Sequence, residues 1–138
     1  MHVTIHAEVD AAATFTNMPA ADTFLFSSHR HVTMVDVSGF TQVRLKVNKQ
    51  GTAGQTGAKL ILRYSSTFST TVGNYSDIGT SEVSVDIDTT NSYLDSGWID
   101  LNDDVLSVDG DDIFLAVVGN GGNATLDPTF GNISVSFR

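Results

Sequence analysis

The sequence predicts an all-β protein, an antiparallel β-sandwich that is jelly-roll-like, with about eight strands in one domain over residues 1–138. Three observations carry that prediction. Apolar and polar residues alternate with a period of two along several short runs, as strands with one buried face do. Turn signals rich in Gly, Asn and Asp separate those runs at roughly 10–15-residue intervals. No stretch of about ten residues repeats with the helical period. The composition agrees, because Thr, Ser, Val, Gly and Asp are abundant while Glu, Lys and Leu are scarce. With 41% hydrophobic residues and eight Phe, the chain has the material for a real core.

The elements follow in chain order. HVTIHAEV near the start reads as a strand. AAATFTNMPAAD at 11–22 is small, polar and contains a proline, which makes residues 1–22 the candidate N-terminal arm. TFLF is a weak strand and HVTMVDV a better one. In VRLKVNK, Val43, Leu45 and Val47 alternate with Arg44, Lys46 and Asn48. In AKLILRY, Leu60, Leu62 and Tyr64 oppose Lys59, Ile61 and Arg63. The glycine-rich NKQGTAGQTG between these two strands is expected to be a long hairpin loop. EVSVDID sets Val83, Val85 and Ile87 against acids and Ser84. GWIDL is short and suits a sheet edge. Asp109-Gly110 is a two-residue hairpin signal between DVLSV and DIFLAVV. DIFLAVVG is apolar on both faces, as a central strand is. The chain closes on NISVSFR, with Ile133, Val135 and Phe137 on one face. The expected core includes Leu45, Leu62, Val85, Phe114, Ile133 and Val135.

Charge and motifs then narrow the function. The net charge of −9 argues against nucleic-acid binding by counterion release. The longest apolar run, IFLAVV, is far too short to span a bilayer, and MHVTIHAEVD has no basic and apolar leader pattern. The absence of cysteine excludes disulfides and thiolate metal sites. No nucleophile elbow, supported Ser/His/Asp set or phosphate loop occurs, so the expectation is a protein that is not an enzyme and needs no cofactor.

The metal-ligating candidates are His29 and His31, an H-x-H pair, and Asp109 and Asp111 in the acid-rich stretch 77–112. Calcium is the cation those carboxylates would suit, although the EF-hand pattern is missing. Trp98, Tyr64, Tyr75 and Tyr93 are the available platforms for stacking sugars, so a carbohydrate-binding sandwich is the alternative reading. Five of the seven Lys and Arg residues fall within residues 44–63, a stretch without acids. Arg44, Lys46, Lys59 and Arg63 would form one basic patch if their strands were adjacent. That patch is the candidate interface between copies. The same charges also suit intramolecular pairing with acidic strands. Subunit contacts are expected along flat apolar edges of the sandwich.

VDVSGFTQVRLKV, then GAKLILRYSS, SGWIDL and DDIFLAVVGNGGNATLDPTFGNISVSFR, together covering about residues 35–138, resemble small tailed-phage virion proteins. These are β-sandwich proteins that decorate capsids or form fibre and tail appendages. The resemblance implies a viral structural protein, first a capsid decoration (cement) protein and next a fibre or tail component. It implies a homotrimer whose partners are its own copies and a major capsid or other virion protein. It also implies assembly in the bacterial cytoplasm and residence in the virion.

Far-UV circular dichroism is expected to show an essentially all-β spectrum, with helix well below about a fifth of residues. A helical spectrum would overturn the fold prediction.

Overall fold

A computed structural model of the chain describes residues 3–7, 13–14, 18–25, 33–50, 56–107, 112–123 and 127–138. The alternating runs form two antiparallel sheets packed face to face. Sheet one contains β1 (Val3–Ala7), β2 (Ala13–Thr14), β5 (Gln42–Gln50), β9 (Tyr93–Asp95), β10 (Ile99–Asp100) and β12 (Thr129–Phe137). Sheet two contains β3 (Thr23–Phe24), β4 (Thr33–Asp36), β6 (Lys59–Ser65), β7 (Ser76–Asp77), β8 (Ser84–Asp86) and β11 (Asp112–Asn120).

Each sheet has two long strands in the middle, β12 beside β5 and β11 beside β6. Every edge is two short strands laid end to end. β1 and β2 share the free side of β12, and β9 and β10 that of β5. β3 and β4 flank β11, while β7 and β8 flank β6. Short, interrupted edges offer little unpaired backbone to a neighbouring chain. Among the described residues, the edges beside β5 and β6 are interrupted, β9 from β10 and β7 from β8, rather than flat and continuous. Within the segment 1–22 that is the candidate arm, β1 and β2 pair with β12 and Met18 is fully buried.

The expected hairpins give way to crossings between layers. β5 and β6 lie in different sheets and do not pair with each other. DVLSV does not form a strand. It contributes a one-turn helix, α1 (Asp103–Leu106). Asn102 caps it, its Oδ1 accepting from the Val105 N–H at 2.9 Å, and Asp103 and Asp104 occupy the first turn, where the helix dipole favours negative charge. Asp109 and Gly110 lie outside the described residues.

The core is built as the alternation requires. Val43, Leu45 and Val47 of β5 and Ile133, Val135 and Phe137 of β12 face inward from sheet one. Leu60, Leu62 and Tyr64 of β6, Val85 of β8, and Ile113, Leu115 and Val117 of β11 face them from sheet two. Phe114 differs from expectation. Its neighbours Ile113 and Leu115 take the inward positions, so Phe114 lies on the outer face, half-buried. β12 holds a bulge between Phe130 and Asn132. The extra residue, Gly131, lets Phe130 and Ile133 both point inward despite their odd spacing. A Cβ at Gly131 would sit 2.5 Å from the Gln50 amide nitrogen, so any side chain there displaces Gln50.

Leu62→Ala, which empties a fully buried site, is expected to cost about 2–5 kcal/mol in chemical denaturation. Phe114→Ala is expected to cost clearly less. Equal costs would mean that the face assignment of β11 is wrong.

Candidate functional site

The outer face of sheet one is where the polar halves of the alternating strands collect. Register aligns them into rungs. Tyr93 of β9 lies opposite Asn48 of β5, which lies opposite Asn132 of β12. The next rung is Asp95, Lys46 and Ser134. These six side chains line an open groove of about 460 Å³. Tyr93 stands over it with 83% of its surface exposed, on an edge strand whose other face carries the buried Leu94. A second open groove, of about 550 Å³, adjoins the first where β8 of one sheet approaches β9 of the other. It shares Tyr93 and Asp95 and adds Asp86, Asp88 and Asn91.

The sequence DSGW explains how β9 ends and Trp98 is placed. Asp95 Oδ1 accepts from the Gly97 N–H at 2.9 Å, and Gly97 takes a left-handed φ of 72° that favours glycine. Ser96 keeps the strand tied to β5. Its N–H donates to the Leu45 carbonyl at 2.9 Å, and its hydroxyl accepts from the Leu45 N–H at 2.9 Å. Trp98 then lies against two guanidinium groups, with Arg138 at 4.4 Å and Arg44 at 5.6 Å from the ring centre. Arg138 Nε donates to Gln42 Oε1 at 2.5 Å, and Gln42 Nε2 donates to Asp100 Oδ1 at 2.6 Å.

The candidate interface residues are dispersed over both faces. Arg44 and Lys46 are on the outer face of sheet one, while Lys59 and Arg63 belong to β6 in sheet two. They do not form a single patch, because the sandwich core lies between them. Three of the four are engaged within the chain. Arg44 grips Asp95 with two N–H donors, one at 2.7 Å. Lys59 pairs with Glu82 at 2.6 Å, and Arg63 with Asp22 and, at 3.6 Å, with Asp77. Lys46 has no ion pair among the described residues and faces the groove. Lys49, also in the basic stretch, is buried and donates to the Thr89 carbonyl.

His29, His31, Asp109 and Asp111 lie outside the described residues. Among the described residues, no group of three or more His or acidic side chains comes together to hold a metal ion. Of the four stacking platforms, Tyr64 is in the core, and Tyr75 is buried edge-on against Phe24 at 5.4 Å. Trp98 is flanked by its two arginines, which leaves Tyr93. Asn48, Asn132 and Ser134 were not singled out from sequence. Their outward orientation is legible in the alternation, but their meeting depends on strand pairing.

The electrostatics suit binding better than proton transfer. The Arg44 hydrogen bond, with help from the Gly97 N–H and the Lys46 charge, holds the Asp95 carboxyl below its ordinary range against the opposing effect of burial. Asp95 is therefore a fixed acceptor near neutral pH. Burial works to raise Glu82, but hydrogen bonds from Lys59 and Ser84 leave it lowered overall. No family model, curated protein or solved structure matches the chain.

Asp95 and Glu82 both titrate lower in the folded chain than in the unfolded one. Their stabilisation is complete above the ordinary carboxylate values near pH ~4 and disappears as pH falls through the lowered folded values. Thermal melts are expected to place Asp95→Asn below the wild type at about pH 7, with the gap closing in acid. A gap that is constant with pH would show that Asp95 contributes nothing through its charge.

Proposed function

We propose that this chain is a non-enzymatic structural subunit of a tailed-phage particle, a decoration protein that cements the head. In this reading it assembles in the bacterial cytoplasm as a homo-oligomer, first a trimer, and docks on the major capsid protein. The observation that carries the proposal is an apolar ridge on the outer face of sheet two. Met34 and Phe114 are cross-strand partners there, 62% exposed and half-buried respectively. Phe68 is 50% exposed and meets Phe114 edge-on, with ring centres 6.0 Å apart. Three large apolar side chains grouped on an open face mark a place where another protein withdraws them from water.

The strand path supports the same reading. Joining the two short strands at each edge reduces the twelve to eight runs, ordered 1-8-3-6 in sheet one and 2-7-4-5 in sheet two. We read that order as the wrapping of a jelly roll, an architecture common in viral capsid and lectin domains. The docking contact in this proposal is chiefly apolar, since Arg44, Lys59 and Arg63 already have partners within the chain.

The test is co-sedimentation with tailed-phage heads that lack the subunit. The wild-type chain is expected to pellet with the heads and to raise the temperature at which they rupture. Met34→Asp combined with Phe68→Ser is expected to remain in the supernatant with an unchanged circular dichroism spectrum, because both positions are exposed. Failure of the wild type to pellet, or equal pelleting of the double variant, would overturn the proposal.

A further inference from the structure

We infer that the groove beside Tyr93 is a binding site for a neutral saccharide. The inference does not depend on how the protein attaches to a particle. The groove lies on the outer face of sheet one, and the apolar ridge is on the opposite surface of the sandwich.

The first argument is the state of Tyr93. A ring with 83% exposure on an edge strand is unusual in a chain that buries Tyr64 and Tyr75 and sets two arginines against Trp98. Its neighbours on the same face are polar, so it belongs to no apolar docking ridge. A free aromatic face among hydrogen-bonding groups suits a ligand with one apolar face and a polar rim. A pyranose ring has that form, with axial C–H groups on its face and hydroxyls around its edge.

The second argument is the layout of the polar groups. Adjacent strands put the members of a rung about 4.8 Å apart, and successive rungs on one face about 6.7 Å apart. Tyr93, Asn48 and Asn132 on one rung and Asp95, Lys46 and Ser134 on the next thus frame an area of sugar-ring size. Each asparagine offers an amide donor and a carbonyl acceptor, the set that adjacent hydroxyls require. Lys46 supplies a donor and Asp95 a fixed acceptor. The adjoining groove, with Asp86, Asp88 and Asn91, extends the site from the same tyrosine and has room for a second sugar.

The charge of the surroundings sets the ligand class. Asp86 and Asp88 in the adjoining groove, on a chain of net charge −9, disfavour phosphates and anionic sugars, and in the first groove Lys46 stands opposite Asp95. Open, polar walls also give little to an apolar peptide. A neutral glycan is the ligand that both the donor set and the field accept.

The test is an amide NMR titration of the isotope-labelled full chain with cellobiose, maltose, lactose and N,N′-diacetylchitobiose as probes. At least one probe is expected to shift the amides of Lys46–Asn48, Tyr93–Asp95 and Asn132–Ser134 together. Tyr93→Ala is expected to weaken that binding about tenfold or more, and Tyr93→Phe to retain most of it. The Tyr93 ring is exposed, so the fold survives both changes, and the amide spectrum itself verifies this. No shift with any of the four sugars, shifts confined to other surfaces, or undiminished binding by Tyr93→Ala would each overturn the inference.

Discussion

Val43, Leu45 and Val47 can leave water on one side only if their backbone groups find partners within the same layer. β12 supplies those partners along almost the whole length of β5, from Val43 opposite Phe137 to Gln50 opposite Thr129. Unpaired N–H and C=O groups in a buried layer would each cost about 1–3 kcal/mol, so this ladder is the condition for the core of sheet one. The features on its outer face follow. The same register that stacks Ile133, Val135 and Phe137 against the core sets Asn132, Ser134 and Ser136 on the other side. The Gly131 bulge corrects the phase once, so that Phe130 also closes the core.

Much of this was legible in the sequence because burial of one sheet face imposes a period of two. The inward faces of β5, β6 and β12 and the central place of β11 follow directly from it. Pairing partners do not. Two strands joined by a glycine-rich segment are equally compatible with a hairpin and with a crossing between layers, and here β5 and β6 part company. The basic patch expected from their adjacency was lost with it. Phe114 was misplaced because β11 is apolar on both faces, so alternation carries no sign there. Ala116 and Val118 on that same outer side are buried outside the main core cluster. α1 was missed although Asn102 followed by Asp103 and Asp104 is a helix-start signal, since one turn is too short to show a period.

The charges show how an acidic chain holds its few cations. Glu82 and Asp95 hold Lys59 and Arg44, and Asp22 and Asp77 hold Arg63 from two elements. Segregation along the sequence becomes mixing in space, because the acidic third of the chain supplies the edge strands that flank the basic central ones. Exposed pairs of this kind do more to fix which edge lies beside which centre than to stabilise the fold. Lys46, beside Asp95 and without an ion pair among the described residues, faces the groove.

The order of the strands has a further consequence for how the chain reaches this state. The two long strands that centre the sheets on one side, β11 and β12, leave the ribosome well after β5 and β6. Until they do, β5 and β6 have no long partner, and their apolar faces remain in water. Folding therefore awaits the synthesis of β11 and β12 and then closes long loops between them and β6 and β5, which places it among the slow β topologies of milliseconds to seconds. During that interval the nascent chain carries strand faces that aggregate or recruit chaperones. The split edges protect only the finished sandwich, not the chain on its way there.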